Sequence, residues 1–138
     1  MIIILKNEKI LSILYKMIFA GTILSVCDNS GVKWVQCLKI LGKKPKAFGK
    51  PGDIIVVSIK KAKSLSKIKK KDIYKAIIVR VKKKICREDG SSISFSKNSV
   101  VLLNVKGSPI GNRIFGPVAK ELRTKKNAKL VSLCTKML

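Results

Sequence analysis

Beyond residue 16 the chain is a succession of short apolar runs rich in Val and Ile, cut at close intervals by Gly, Pro, Asp and Lys. That rhythm reads as strands and turns. Strands are predicted at residues 18–27, 32–41, 53–62, 73–83, 92–95 and 100–104. Short strands so closely spaced point to a closed barrel, an arrangement that leaves no strand edge unpaired. Two cationic loops, GKKPKAFGKPG at 42–52 and KSLSKIKKK at 63–71, are too polar and turn-rich for a core, and their lysines are expected to project from one end of the barrel. After Asn104 comes a turn-rich stretch, KGSPIGNRIFGP, and then a helical one, VAKELRTKK, with Pro117 suited to a first helical position. A further helical turn or two is expected over 127–134, with Leu130, Val131 and Leu133 facing the barrel. The fold class expected is thus mainly β: a barrel with small C-terminal helices. The chain shows no internal repeat.

At 138 residues, 46% of them apolar, the chain fits one domain with a genuine core. Its 31 Lys and Arg against 7 Asp and Glu give a net charge of +24, a self-repulsion that a polyanionic partner relieves. Nucleic acid is the natural candidate. A membrane surface would call for an amphipathic helix with its basic residues on one face, whereas here the lysines sit mostly in loops. Arginine occurs only at Arg80, Arg87, Arg113 and Arg123. Lysine is a flexible point charge suited to phosphate, while bidentate reading of guanine favours arginine, so sequence-specific duplex readout is disfavoured. Abundant Lys, Ile and Asn also fits translation from an AT-rich genome, such as that of an organelle or a reduced bacterium.

The apolar stretch 10–26 is shorter than the roughly 20 residues a bilayer span requires and contains Lys16. Lys6 and Lys9 precede it in the manner of a signal peptide. With Met1 at the start, the expectation is instead a chain made in the compartment where it works.

Catalytic chemistry lacks its usual parts. Histidine is absent, and the carboxylates Glu8, Asp28, Asp53, Asp72, Glu88, Asp89 and Glu121 are scattered, several beside turns where Asp caps backbone N–H groups. Cys27, Cys37, Cys86 and Cys134 show no metal-ligand spacing and read as small core or surface residues of a reducing compartment. No Gly-rich phosphate loop opens a helix. Neither an enzyme, a cofactor nor a metal is expected. Of the aromatics, Tyr15, Phe19, Trp34, Tyr74, Phe95 and Phe115 fall mostly in strand patterns that favour core burial. Phe48, on a lysine-rich loop, is open between exposed contact and loop packing. The expected ligand is structured RNA, held through phosphates and shape.

Several motifs together resemble one family. They are Cys27-Asp28-Asn29-Ser30-Gly31 after the first strand, Gly52-Asp53-Ile54-Ile55 opening the third, and Ala76-Ile77-Ile78-Val79 followed by Asp89-Gly90, Phe95, Asn98 and Val101-Leu102. The run from Pro109 to Pro117, PIGNRIFGP, followed by Glu121-Leu122-Arg123, completes the set. Across residues 17–138 the chain resembles the universal large-subunit ribosomal protein number fourteen. Residues 1–16 extend beyond the bacterial-type start. Two positions depart from the pattern: Glu88 stands where Pro commonly precedes Asp-Gly, and Ser96-Lys97 replaces a turn that often reads Asp-Gly.

The resemblance implies a five-stranded closed β-barrel with a short hairpin and a small helical C-terminal part. It implies a structural role at the subunit interface, with contacts to large-subunit rRNA, bridges to small-subunit rRNA, and large-subunit proteins three and nineteen as neighbours. By position, the rRNA contacts implied are Asn29, Ser30, Lys43, Lys44, Lys46, Arg80, Lys82, Lys83, Arg87, Asn98 and Arg113. It also implies docking of a ribosome-silencing factor on Asn112, Arg113, Val118, Glu121 and Leu122, with Val118 and Leu122 open between that face and packing of the helix onto the barrel. The extension and the Lys/Ile bias make a mitochondrial ribosome the leading setting, with an AT-rich bacterium or another organelle as the rival. Two other classes compete on charge alone: a free RNA-binding barrel acting as a translation factor or RNA chaperone, and an organellar DNA-compacting protein.

Overall fold

The computed structural model describes residues 16–42, 44, 47–64, 68–125, 128–134 and 136–138. Seven strands form: β1 (Ile23–Val26), β2 (Val32–Ile40), β3 (Ile54–Ala62), β4 (Ile73–Arg80), β5 (Ile85–Cys86), β6 (Ser92–Ile93) and β7 (Ser99–Leu103). A 3-10 helix (Lys120–Lys125) and α1 (Ala128–Leu133) follow. Five strands close into a barrel in the order β1-β2-β3-β4-β7, and β5 pairs with β6 as a separate hairpin. An odd number of strands cannot alternate direction all the way round. One pair has to be parallel, and it is β1 with β7, through Ser25 opposite Ser99 and Val26 opposite Val100.

Strand patterning explains two apolar clusters. Along β3, Ile55, Val57 and Ile59 are buried while Ile54, Val56 and Ser58 are not, the two-residue period of a strand with one face inward. Residues 76–79 of β4 and all of β7 are instead buried throughout. Ala76, Ile78, Val100 and Leu102 point into the barrel with Leu24, Val35 and Ile59. Their alternates Ile77, Val79, Val101 and Leu103 pack outward under Ile114, Val118, Leu122 and Leu130 of the C-terminal segment. An unbroken apolar run thus marks a strand covered on both faces.

Several sequence expectations are corrected. The strand predicted from residue 18 begins at Ile23, because Gly21 takes φ +95° in a turn closed by the Thr22 N–H donating to Phe19 O at 3.1 Å. The strand predicted to 83 ends at Arg80, after a register shift between Ile78 and Arg80. Pro117 does not open a helix: the Val118 N–H donates to Lys136 O at 3.0 Å and Val118 O accepts from Leu138 N at 2.9 Å, so this stretch is extended and helical turns start at Lys120. The cationic loops lie at opposite ends of the barrel, since they join consecutive antiparallel pairs, β2–β3 and β3–β4. The second loop also contributes Ile68 to the barrel core.

Candidate nucleic-acid interface

The turn between β1 and β2 is held by a buried carboxylate. Asp28 is 5% exposed. Its Oδ1 accepts the Ser30 N–H at 3.1 Å and the Ser30 hydroxyl at 2.5 Å, and its Oδ2 accepts the Leu102 N–H at 3.2 Å. Asn29 then ties this turn to the one at 110–113: its Oδ1 accepts from Asn112 N at 3.0 Å and Arg113 N at 3.2 Å, and its amide donates to Asn112 Oδ1. A Cβ at Gly111 would lie 2.6 Å from Asn29 Oδ1, so only glycine allows this approach. The result is a rigid platform from which Arg113 projects, exposed, its guanidinium 5.6 Å from the centroid of the Phe115 ring.

A second group of cations gathers where β4 leads into the hairpin. Asn98 Oδ1 accepts the Lys82 N–H at 2.6 Å, which fixes the backbone there. Lys83 Nζ stands 4.1 Å above the half-buried Phe48 ring and Lys50 Nζ lies 5.6 Å from the same centroid. Phe48 therefore serves as a ring platform that draws cations from the β2–β3 loop and from the end of β4 to one place. Lys44 is exposed on that loop, while Lys43 and Lys46 lie outside the described residues.

Arg80 and Arg87 have intramolecular surroundings. Arg80 lies beside Gly116, where a Cβ would come within 2.6 Å of its Nη1, and its Nε is buried without a hydrogen-bond partner. Burial pushes the Cys27 thiol up to about 11, against the pull of the adjacent Arg80 guanidinium, and burial lifts Cys37 likewise to about 11. Both thiols are thus protonated and unreactive near neutral pH. Arg87 donates through Nε to Glu121 Oε1 at 2.9 Å and through Nη2 to Leu138 O, clamping the hairpin to the 3-10 helix and to Leu138.

The five residues of the expected protein-docking surface separate. Asn112 and Arg113 are exposed and Glu121 is half-buried in its pair with Arg87. Val118 and Leu122 are fully buried in the outer apolar cluster and present no surface, a correction that follows from the extended pairing of Val118 and the packing of the 3-10 helix on β4 and β7. The aromatics correct the opposite expectation. No aromatic side chain is among the buried core residues described, and Trp34 and Phe115 are 41% and 48% exposed.

Among the described residues no helix is long and apolar enough to cross a membrane, and no group of His, Cys, Asp or Glu could hold a metal ion. The model of one family, described as ribosomal protein L14p/L23e, matches residues 17–138. The chain belongs to the L14p/L23e family. That membership gives it a structural, non-enzymatic role in the large ribosomal subunit. The residues that the resemblance singles out now have two physical roles in this L14p/L23e chain. Asp28, Asn29 and Asn98 spend their hydrogen bonds on turns, and Lys83 and Arg113 stand near those turns as charges. From sequence, Lys50 reads only as one of the lysines of the first cationic loop, and Trp34 as a core residue. Trp34 was hidden by register shifts on either side of it, between Val32 and Trp34 and between Trp34 and Val35, which turn the indole outward where simple alternation from Val32 puts it inside.

Proposed function

We propose that the chain binds large-subunit rRNA at the subunit interface of a mitochondrial ribosome and reaches small-subunit rRNA across that interface. The carrying observation is the charge. Seven carboxylates can neutralise only a fraction of 31 cations, and no Lys or Arg is among the described residues of the aliphatic core. Phosphate contacts come from Lys44, Lys82, Lys83 and Arg113 together with Lys43 and Lys46, with Arg80 contributing at the hairpin side and Arg87 holding the hairpin in place through Glu121. Asn29, Ser30 and Asn98 act mainly by shaping the turns that present these charges. Residues 1–16 form an extension to a single barrel domain at 17–138. Large-subunit proteins three and nineteen are its neighbours, and Asn112 and Arg113, together with Glu121, receive a ribosome-silencing factor.

The test is gradient sedimentation of the tagged chain from isolated mitochondria. The expected result is stoichiometric migration with the large subunit, sensitive to ribonuclease. Recovery at the top of the gradient identifies a free RNA-binding barrel, and recovery with nucleoid DNA identifies a compaction protein; either overturns the proposal.

A further inference from the structure

Two clefts adjoin on the barrel wall with Trp34 between them. One, of about 700 Å³, is lined by Met17, Thr22, Ile23, Trp34, Lys82 and Asn98 among others. The second, of about 510 Å³, is lined by Trp34, Arg80, Phe95, Lys97, Phe115 and Pro117 among others. Ser25, Ser96 and Lys97 line both. Each volume lies within the range of about 300–1,000 Å³ typical of sites for compact ligands.

The lining has a definite chemical character. Among the described residues it includes three aromatic side chains, Trp34, Phe95 and Phe115, the cations Arg80, Lys82 and Lys97, and no carboxylate. Serine hydroxyls and the Asn98 amide add polar groups between them. The floor is braced: the Ser25 hydroxyl donates to Asn98 O at 3.1 Å and lies 2.8 Å from Ser99 Oγ, while Asn98 Oδ1 holds the Lys82 backbone. A braced cleft loses little freedom when it is filled.

Stacking faces among cations suit a ligand that is anionic and flat. A paired helix hides its base faces and presents a convex phosphate surface to these concavities. Unpaired nucleotides expose both base face and phosphate. An acidic peptide would satisfy the cations and leave the rings without planar partners.

We propose that these clefts bind two consecutive unpaired nucleotides of single-stranded RNA, one on either side of Trp34, with the indole stacked on a base and Lys82, Lys97 and Arg80 serving the phosphates. This rests on the reading of the chain as an RNA-binding ribosomal protein and adds to it a distinct class of RNA element, an unpaired one. It differs from the lysine-loop contacts, which address phosphates whether or not the bases are paired.

Trp34 is the only tryptophan of the chain, so its emission reports directly on the clefts. The full chain is titrated with a single-stranded adenosine hexaribonucleotide and, separately, with an RNA duplex of equal phosphate count. Saturable quenching by the single strand and none by the duplex is expected. With the hexamer end-labelled and followed by anisotropy, Trp34→Ala should weaken binding by about 5- to 150-fold, the range for losing one base–aromatic stack, and Trp34→Phe should restore most of it. Salt-sensitive binding without quenching, or equal affinity of wild type and Trp34→Ala, overturns the proposal. Should Trp34→Ala fold poorly, the comparison of single strand with duplex on the wild-type chain still decides. Co-sedimentation with the large subunit is scored separately: a chain that sediments with the subunit yet shows no quenching refutes the clefts alone, and one that fails to sediment refutes the ribosomal reading.

Discussion

Asp28→Asn removes one charge and one acceptor and keeps the shape. The wild-type carboxylate serves two backbone N–H groups far apart in the chain, Ser30 of the β1–β2 turn through Oδ1 and Leu102 of β7 through Oδ2, and it is buried. An asparagine amide has one oxygen. Turned toward Leu102, it sets its NH2 against the Ser30 N–H; turned toward Ser30, it sets the NH2 against Leu102. Either way one donor is left without its partner, the buried Leu102 N–H or the part-buried Ser30 N–H, at about 1–3 kcal/mol for the buried one, and the surviving bond loses its charge assistance. Relief of the buried charge offsets part of this. A net loss of about 2 kcal/mol is expected, which lowers Tm by about 6–10 °C for a domain of this size.

The assay is urea unfolding at moderate salt, with amide hydrogen exchange read at Ser30 and Leu102. A lower midpoint at unchanged m is expected, with faster exchange at one of the two amides. A change below about 0.5 kcal/mol, or normal protection at both, refutes the account. RNA binding supplies an independent sign. The substitution makes the chain more positive, so charge alone predicts tighter binding, whereas a turn that no longer holds Asn29 and Arg113 in place predicts weaker binding.

Four further outcomes are expected. With about eight phosphate contacts, log K for RNA against log salt should fall with a slope on the order of −6 to −7; a slope shallower than about −2 contradicts phosphate dominance. Gly49→Ala places a Cβ 2.5 Å from Cδ1 of the fully buried Ile78, so it should cost about 1–3 kcal/mol, and Ile78→Val, which alone costs about 0.5–1.5 kcal/mol, should relieve it; additive losses in chemical denaturation would argue against the clash. Burial pushes the Glu121 carboxyl up, but the Arg87 hydrogen bond with the attraction of Arg87 and Lys120 outweighs it and the net direction is down. The pair therefore adds stability above the ordinary carboxylate range that is lost as pH falls through the lowered value, and Glu121→Gln should flatten this acid limb in thermal melts, an unchanged limb counting against it. Arg113→Lys keeps the charge but loses the planar guanidinium near Phe115, so subunit joining measured by light scattering should weaken at unchanged Tm; unimpaired joining would make Arg113 a solvated turn residue.

How far the sequence is legible depends on whether the responsible physics is local. The alternation of Ile55, Val57 and Ile59 and the unbroken Ala76–Ile77–Ile78–Val79 run both carry their burial in their own spacing, and the barrel follows from them. Trp34 does not, because its orientation is set by register shifts against β3, a partner some 25 residues away, through pairs such as Trp34 with Lys61. Val118 is misread for the same reason: its helix-friendly neighbours Ala119, Lys120 and Glu121 are overridden by pairing with Met137 at the chain end, and Ala119 N is taken by Val79 O at 3.1 Å. The site residues pose a harder case. Asn29 and Arg113 occur in turns of similar composition, and nothing in residue type distinguishes an amide spent on holding a turn from a cation standing on it. That division is made by where the hydrogen bonds go. Asn29 uses its oxygen twice within the chain and Arg87 is committed to Glu121, whereas the exposed Arg113 and Lys97 face solvent. Substituting the first kind alters binding by moving the platform, with a stability change to match. Substituting the second kind alters binding at constant stability, which makes paired measurement of unfolding and RNA affinity the means of sorting every remaining polar residue of the motifs.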